Sequence, residues 1–289
     1  MAQTLIVLGT GNALATRCYN TCFAIEFTGG EALLVDAGGG NGILRQLDGV
    51  GLDAARIHHI ILTHAHCDHM LGMVWMVRKI GTLIRTGGYE GVLTIHCSQK
   101  NEQRLRAMCE ATLEGRFVSL FGDRIVFSPV TDGDAHLICG APVTFFDIRS
   151  TKEQQYGFTM PLESGEKLTC LGDEPFNPAC RPYAEGARWL LSEAFCLYDD
   201  RDRFRPYEKH HSTVRDAAIL GAELGAAHLV LWHTEDATFD TRKQAYTAEA
   251  ARSFSGQIHV PWDLERLDLT WAVGNVKNQA VFLSVLTMC

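Results

Sequence analysis

The chain has 289 residues, of which 46% are hydrophobic and 21% are charged, and its formal net charge is −8 at pH 7. These values are typical of a globular protein with a sizeable core. The acidic balance, without a basic block, disfavours a broad nucleic-acid-binding surface. No stretch approaches the ~18 uninterrupted apolar residues that a membrane span needs, so we expect no membrane contact.

The predicted elements begin with strands at residues 5–8, 22–27 and 32–35, a helix through 43–47, a strand at 57–62 and a helix from Met70. They continue with a strand at 92–96, a helix at 99–114, mainly strands from 117 to 158, and further strands at 167–171, 189–191, 229–232 and 257–260. Two later helices are predicted at 214–225 and 241–253. This order indicates two sheets packed face to face with helices outside.

Ten cysteines are scattered along the chain rather than arranged in a framework. The first residues lead directly into a strand and show no features of a signal peptide. Free thiols in a reducing compartment are then the simpler explanation, so we expect a cytoplasmic protein. Cys67 lies within a cluster of histidines, and we expect its side chain to point into packing.

Residues 63–69 read Thr-His-Ala-His-Cys-Asp-His, between a predicted buried strand and a predicted helix. Three imidazoles and one carboxylate within six positions are a dense supply of metal ligands. A strand-to-helix turn is also where α/β proteins place their chemistry. The alternative is a histidine-rich surface turn, but the spacing favours a metal site.

Other polar residues lie at or just after the ends of predicted elements: Asp36, Asp173, Glu193, His211 and His233. Taken alone, an aspartate after a strand is usually a turn-former or a helix cap. A lone histidine there is more often a core residue. The cluster at 63–69 makes a functional role more plausible, because four ligands on one turn need distant partners to complete two metal shells.

Two divalent ions about 3.5–4 Å apart need a bridging carboxylate and ligands from several loops. The assignment we expect places His64 and His66 on one ion, Asp68 and His69 on the other, Asp173 between them, and His233 on the second. Such a centre would bind a hydroxide and polarise the bond that is cleaved. The ligand types suit zinc first, with manganese or iron as substitutes.

Several segments in chain order resemble one family: Leu8-Gly9-Thr10-Gly11, residues 34–40, residues 63–69 with Gly72, Gly172-Asp173, residues 190–195, His211-Ser212-Thr213, residues 229–233, and residues 260–263. Over roughly residues 5–265 the chain resembles the metallo-β-lactamase superfamily, in particular its ribonuclease Z and arylsulfatase-like branch. The resemblance implies an α/β fold, the αββα sandwich of two packed mixed sheets flanked by helices. We expect one hydrolase domain at 1–272 and an extension at 273–289 that packs on the body or on a partner.

Within that branch, the resemblance implies that His211 is the proton donor to the leaving group and that Glu193 orients it. Asp68 would act both as a ligand and within the catalytic centre. The alternatives are that His211 is a surface residue leading a helix and that Glu193 pairs with an arginine. Asp36 would orient a metal-bound histidine or serve only as a turn residue.

Three departures from the family pattern stand out. The histidine expected after residues 145–148 is missing, and none occurs between 137 and 209. Water, Asp147, His96 or His136 could replace it, or the first site could be weak or empty. Ser192 replaces the usual histidine and Glu174 the usual threonine. The chain also has no Gly/Pro-rich basic arm of the kind that ribonuclease Z uses to grip transfer RNA.

The function we expect is a metal-dependent hydrolase that cleaves a phosphodiester or a similar anionic ester with a metal-bound hydroxide. The acidic charge and the missing arm favour a small anionic ester over RNA as the substrate. The alternatives are an arylsulfatase or lactonase-type ester hydrolase, or a non-catalytic ligand-binding descendant with a degraded metal site. A homodimer is a further expectation.

Overall fold

The computed structural model describes residues 3–270 and confirms a sandwich of two mixed seven-stranded sheets flanked by helices. In spatial order, the first sheet contains Arg266–Asp268 (β14), Thr4–Gly9 (β1), Cys22–Glu26 (β2), Ala32–Val35 (β3), Ile57–Ile61 (β4), Leu93–Cys97 (β5) and Ile125–Pro129 (β6). The second contains Gln257–His259 (β13), His228–Trp232 (β12), Trp189–Glu193 (β11), Lys167–Cys170 (β10), Tyr156–Pro161 (β9), Ala141–Asp147 (β8) and Ala135–Ile138 (β7).

The helices are Gly42–Val50 (α1), Cys67–Thr86 (α2), Gln99–Thr112 (α3), Gly115–Val118 (α4), Arg181–Ala184 (α5), Arg201–Phe204 (α6), Val214–Glu223 (α7) and Phe239–Ala250 (α8). The short helix α4 lies at the start of an interval that we predicted to be mainly strand. Its Phe117 ring is buried against Gly81 of α2, a tertiary contact that local sequence does not reveal. None of the helices in the described part of the chain is long and apolar enough to span a bilayer.

Alternating side chains of the strands build separate cores on the two faces of each sheet. In β1, Leu5 and Val7 lie in the core between the sheets, whereas Ile6 and Leu8 face the helices on the first sheet. In β12, Val230 lies in the central core and its neighbours face the helices on the second sheet. The strands are therefore buried on both faces, which explains their nearly continuous apolar sequences.

Parallel pairing brings several strand ends to one edge of the sandwich. Strands β3 and β4 are parallel neighbours in the first sheet, and β10, β11 and β12 are parallel neighbours in the second. Polar residues lie at or just after these carboxyl ends: Asp36, Asp173, Glu193 and His233. Helix α2 begins at Cys67 rather than at Met70, so Asp68 and His69 lie in its first turn.

Gly72 allows α2 to pass directly over the loop that follows β3. Its backbone N–H donates to Gly38 O at 2.8 Å, and a Cβ atom at this position would lie 1.9 Å from Ala37 O. We expect Gly72→Ala to destabilise the fold by about 1–3 kcal/mol, because the helix would have to shift away from the loop. Activity should also fall, since α2 carries Asp68 and His69.

Urea denaturation monitored by circular dichroism measures this free energy of unfolding. Gly115→Ala is the matched control, because a Cβ there meets nothing within 4 Å. Equal stability of the two variants would show that the close approach of α2 to the loop is not what Gly72 provides.

Candidate metal centre

The structure brings the six expected ligands together at the shared edge of the two sheets. His64, His66 and Asp173 form one group of ligand atoms, and Asp68, His69 and His233 form another, each group lying within 4.8 Å. Five of the six side chains are buried, and His66 is half-buried. The loop after β4 and the first turn of α2 supply four of them, and the loops after β10 and β12 supply the other two.

The spacing of the ligand atoms fits a tetrahedral ion. Asp173 Oδ2 lies 3.5 Å from His69 Nε2, 3.5 Å from His233 Nε2 and 3.4 Å from His64 Nε2. Asp68 Oδ2 lies 3.5 Å from His69 Nε2. Zinc bonds of about 2.0–2.1 Å in tetrahedral geometry separate ligand atoms by about 3.3–3.4 Å. Asp173 Oδ2 therefore lies between the two groups of ligand atoms, where it could be a ligand in either group.

Buried polar atoms support the same interpretation. Within the described chain, His69 Nε2 and Asp173 Oδ1 are buried and have no hydrogen-bond partner. Buried polar groups are normally satisfied, so orphaned atoms at one point need an explanation. A divalent cation beside Asp173 would take up the His69 Nε2 lone pair, and the donor set of imidazoles and carboxylates suits it.

Asp36 aligns two of the histidines from behind. Its Oδ2 accepts a hydrogen bond from Thr63 Oγ1 at 2.7 Å and lies 2.7 Å from His69 Nδ1. Because the Thr63 hydroxyl donates to Asp36, it can only accept from His64 Nδ1, 2.9 Å away. In their neutral form both imidazoles therefore carry their proton on Nδ1 and present an Nε2 lone pair to the cluster.

His233, which follows β12 of the second sheet, is held by a residue on the first sheet's side of the sandwich. The His233 Nδ1 atom lies 3.2 Å from Thr21 Oγ1, whose hydroxyl donates a hydrogen bond to Gly11 O. His233 and Asp36 both adopt positive φ angles, of 56° each. Such a backbone is costly for residues other than glycine and is concentrated at functional sites. Both strand ends are thus bent so that these side chains face the cluster.

Asp36→Asn should weaken metal binding about 10- to 100-fold, because the amide cannot accept from both Thr63 and His69 as the carboxylate does. Titration with a fluorescent zinc chelator as competitor measures the affinity. Asp53→Asn is the control, since Asp53 only caps a short helix through Ala55 N. Equal zinc affinity of Asp36→Asn and wild type would reduce Asp36 to a turn residue.

The local charges favour ionised carboxylates, which a metal requires. Burial raises the pKa of both carboxyls, but nearby imidazoles outweigh it. His69 and His233 hold the pKa of Asp68 below its ordinary value, and His64 and His69 hold that of Asp173 well below it. Burial lowers the pKa of His233 to about 3. Asp68 and Asp173 are thus anionic and His233 is neutral near pH 7. Although burial opposes it, Asp68, Asp36 and Asp173 also raise the pKa of His69 well above its ordinary value, so a metal would have to displace a proton from this imidazole.

His211 and Glu193 form a pair beside the cluster. Glu193 Oε2 lies 3.3 Å from His211 Nδ1, and the Glu193 side chain is only 2% exposed. The His211 ring stacks on Phe195 with a centroid separation of 5.0 Å, and its centroid lies 5.2 Å from that of His233. Although burial opposes it, the Glu193 carboxylate raises the pKa of His211 above its ordinary value. This geometry suits a proton donor facing the metal centre.

Neither His96, His136 nor Asp147 adds a further ligand to His64, His66 and Asp173 within the described residues. His96 lies 3.1 Å from both His59 and His136, so its two ring nitrogens contact these two histidines. Asp147 Oδ1 accepts from the backbone of the neighbouring Arg149. The three candidates that the sequence suggested are therefore engaged elsewhere.

The segment that should carry the missing histidine contributes other polar contacts. Gln155 is buried, and its Nε2 lies 3.1 Å from His64 Nδ1. Ser150 Oγ donates to Glu174 Oε1 at 2.6 Å, and Lys152 Nζ lies 3.5 Å from the same oxygen. Glu174, where the family has threonine, thus binds this turn. The half of the centre around His64 and His66 has fewer ligands than the half around His69.

A cleft of about 340 Å³ opens onto the cluster. Its lining includes Asn12, Leu14, His66, Cys67, Asp68, Lys152, Asp173, Phe195, Lys209, His211 and His233. The Cys67 side chain is exposed, so our expectation that it packs inside is wrong. Since α2 begins at Cys67 and turns Asp68 and His69 inward, the residue before them faces outward.

The chain is similar to known proteins in both sequence and fold. The sequence profile of the family described as "Anti-Pycsar protein Apyc1" matches residues 3–244. Ribonuclease Z of Myxococcus xanthus (strain DK1622) is 27% identical, over 90% of this chain and 95% of that protein. The metallo-β-lactamase fold protein YhfI from Bacillus subtilis superimposes with a TM-score of 0.75 at 17% identity, covering 92% of this chain and 99% of that one. Human tRNase Z, short form, gives 0.68 at 21%, covering 91% and 98%.

These relatives contradict our expectation that a small anionic ester is favoured over RNA as the substrate. The Myxococcus xanthus relative and another from Bradyrhizobium are named ribonuclease Z. The expectation relied on the net charge of −8, which averages over the whole surface and does not report the charge at the cleft. Lys152 and Lys209 stand in that cleft.

The expected superfamily is confirmed by sequence and by fold together. The family profile covers most of the chain, and the curated relatives align over nearly their full length. The expected extension at 273–289 lies outside the described residues, and the domain boundary at 272 stays a prediction. The chain belongs to the family described as Anti-Pycsar protein Apyc1, in the ribonuclease Z-like branch of the metallo-β-lactamase superfamily.

Proposed function

We propose that this chain is a metal-dependent hydrolase that cleaves phosphodiester bonds in RNA, as the name ribonuclease Z states of its relatives. The observation that carries the proposal is the tetrahedral spacing around Asp173 Oδ2, directly beside the His211–Glu193 pair. The spacing fits one divalent ion, and the pair fits a proton donor for a departing alkoxide.

Asp68, His69, Asp173 and His233 would hold the ion, and His64 and His66 would hold a second ion through Asp173. We propose zinc, because the ligands are imidazoles and carboxylates at tetrahedral spacing, with manganese or iron as substitutes. When bound, such an ion activates water for attack and neutralises charge on the phosphate. The half around His64 and His66, which with Asp173 has three ligand atoms in the described chain, would hold its ion less tightly.

The protein residues have separate tasks in this reaction. His211, protonated on the face toward the cleft, gives its proton to the leaving oxygen of the ribose. Glu193 lies against the imidazole at Nδ1 and favours its charged form, and the backbone N–H of Ser212 donates to the other Glu193 oxygen. The Phe195 ring under His211 limits its rotation and excludes water from one face.

A reducing compartment such as the cytoplasm is the location we propose. The nine cysteines among residues 3–270 are all free thiols. Six of them are buried, and a secreted chain of this size would more often pair such residues.

Zinc-loaded protein, incubated with a precursor transfer RNA carrying a 3′ trailer, tests the proposal. We expect cleavage of the RNA and of bis-p-nitrophenyl phosphate, both abolished by a chelator and restored by zinc. A p-nitrophenyl sulfate and an aliphatic lactone serve as the competing substrate classes. Hydrolysis of the sulfate or the lactone without cleavage of either phosphodiester would overturn the proposal.

A further inference from the structure

Lys152 stands at the mouth of the metal-centre cleft, in the segment where the family pattern has its third histidine. It lines the cleft together with His66, Asp173 and His211. Its side chain is 26% exposed, which leaves the ammonium group accessible from the cleft. Nζ lies 3.2 Å from Lys209 O and 3.5 Å from Glu174 Oε1, so two acceptors hold the lysine over the site.

The net charge of the metal centre suggests a role for this lysine in binding an anion. One divalent ion bound between Asp68 and Asp173 carries two positive charges, which the two carboxylates cancel. A phosphodiester anion would then meet a neutral group of one ion and two carboxylates, with only the His211 imidazolium beside it, unless a further cation is present. The half of the centre that would hold a second ion lacks a ligand, and Lys152 projects from the segment where that ligand is missing.

We propose that the Lys152 ammonium binds a non-bridging phosphate oxygen of the substrate and supplies charge that a fully occupied second metal site would otherwise provide. This inference rests on the proposed function only in taking the ligand to carry a phosphate. The ammonium is a point charge with three donors, so it can bind a phosphate oxygen while it keeps its contacts to Lys209 O and Glu174.

A purely structural role is the competing explanation. Lys152 Nζ donates to the backbone of Lys209, and Thr151 Oγ1 lies 3.4 Å from His210 Nδ1. These contacts join the turn at 150–153 to the turn that precedes His211. If the lysine only joined the two turns, its loss would disturb His211 and not the binding of a phosphate group.

Calorimetric titration of zinc-loaded protein with adenosine 5′-monophosphate, and with adenosine as its phosphate-free counterpart, separates the two roles. We expect Lys152→Met to weaken binding of the nucleotide about tenfold or more, as for loss of a charge-assisted hydrogen bond, with adenosine binding unchanged. Lys152→Arg should restore most of the affinity, since it keeps the charge. Bound zinc, counted by plasma mass spectrometry, should be the same in all variants.

Lys79→Met is the matched control, because Lys79 is exposed on α2 and lines a different cleft, so its loss should change nothing. Wild-type affinity of Lys152→Met for the nucleotide would overturn the inference, and so would a wild type that binds the nucleotide no better than adenosine. The two proposals can fail separately. If the wild type cleaves no phosphodiester, but the Lys152→Met variant still binds the nucleotide more weakly than the wild type, the proposed function is refuted and this inference stands.

Discussion

Replacing Asp173 by asparagine is expected to remove the metal and nearly all activity. The Asp173 Oδ2 atom is within 3.5 Å of three imidazole nitrogens, so one substitution withdraws a ligand from both halves of the centre. Loss of an outer-shell partner costs about 10- to 100-fold in metal affinity or activity, and loss of this shared ligand should exceed that range. Metal content by plasma mass spectrometry and phosphodiesterase rate measure the two effects.

Asp147→Asn provides the matched control, because Asp147 is a carboxylate at the end of β8 that lies outside the ligand cluster. It should retain both the metal and the activity. Circular dichroism spectra identical to wild type would show that Asp173→Asn is folded, as expected for a change of nearly equal volume. A folded Asp173→Asn protein with wild-type zinc content would refute the bridging position of this residue.

Replacing His211 by alanine should lower kcat for RNA about 10²- to 10⁴-fold with little change in bound metal, because a general acid acts only on the leaving group. The loss should be much smaller with bis-p-nitrophenyl phosphate, since p-nitrophenolate departs without a proton. The ratio of the two losses therefore reports protonation rather than general damage. Equal losses on both substrates would argue that His211 positions the substrate instead.

Two companion variants sharpen the His211 result. His210→Asn changes the adjacent exposed histidine, and asparagine tolerates its φ of 57°, so activity should be retained. Glu193→Gln removes the charge that raises the pKa of His211. Protonated His211 is lost as pH rises through its pKa, so the alkaline limb of kcat should move to lower pH. If the alkaline limb of kcat stays at the same pH in Glu193→Gln, then Glu193 does not set the pKa of the group that titrates.

The sandwich fold was predictable because most of its strands carry a strong local signal. Strands such as β1 and β12 are continuous apolar segments bounded by polar turns, and both faces of each are buried. Strand β14 was missed because it has three residues and forms by pairing with β1 about 260 positions away. Pairing between such distant segments leaves no local pattern in the sequence.

The clustering of the polar side chains at the site was predictable because the chain places His and Asp at strand ends, and parallel strands bring those ends together. The supporting residues were not. Thr21, just before β2, contacts His233, and Gln155, in the turn before β9, contacts His64; neither forms part of a recognisable motif. Hydroxyl and amide side chains occur in most turns, so only the assembled structure distinguishes those that hold a ligand.

The substrate was misjudged for a related reason. Net charge describes the whole surface, whereas binding depends on the few charges that face the cleft. Lys209 lies in the interval 196–210, where the adjacent Asp199, Asp200 and Asp202 make a solvated loop the simpler interpretation, and Lys152 lies in a separate turn before β9. The fold directs these two lysines to the cleft.

The most direct test of the metal centre is anomalous diffraction at the zinc edge from crystals grown with zinc. We predict a peak bonded to Asp68, His69 Nε2, Asp173 Oδ2 and His233 Nε2 at about 2.0–2.2 Å, with weaker density or none between His64 and His66. The same crystals would show whether an added phosphate group reaches Lys152. A map with no anomalous peak in this cleft, at zinc concentrations that occupy other sites, would contradict the account.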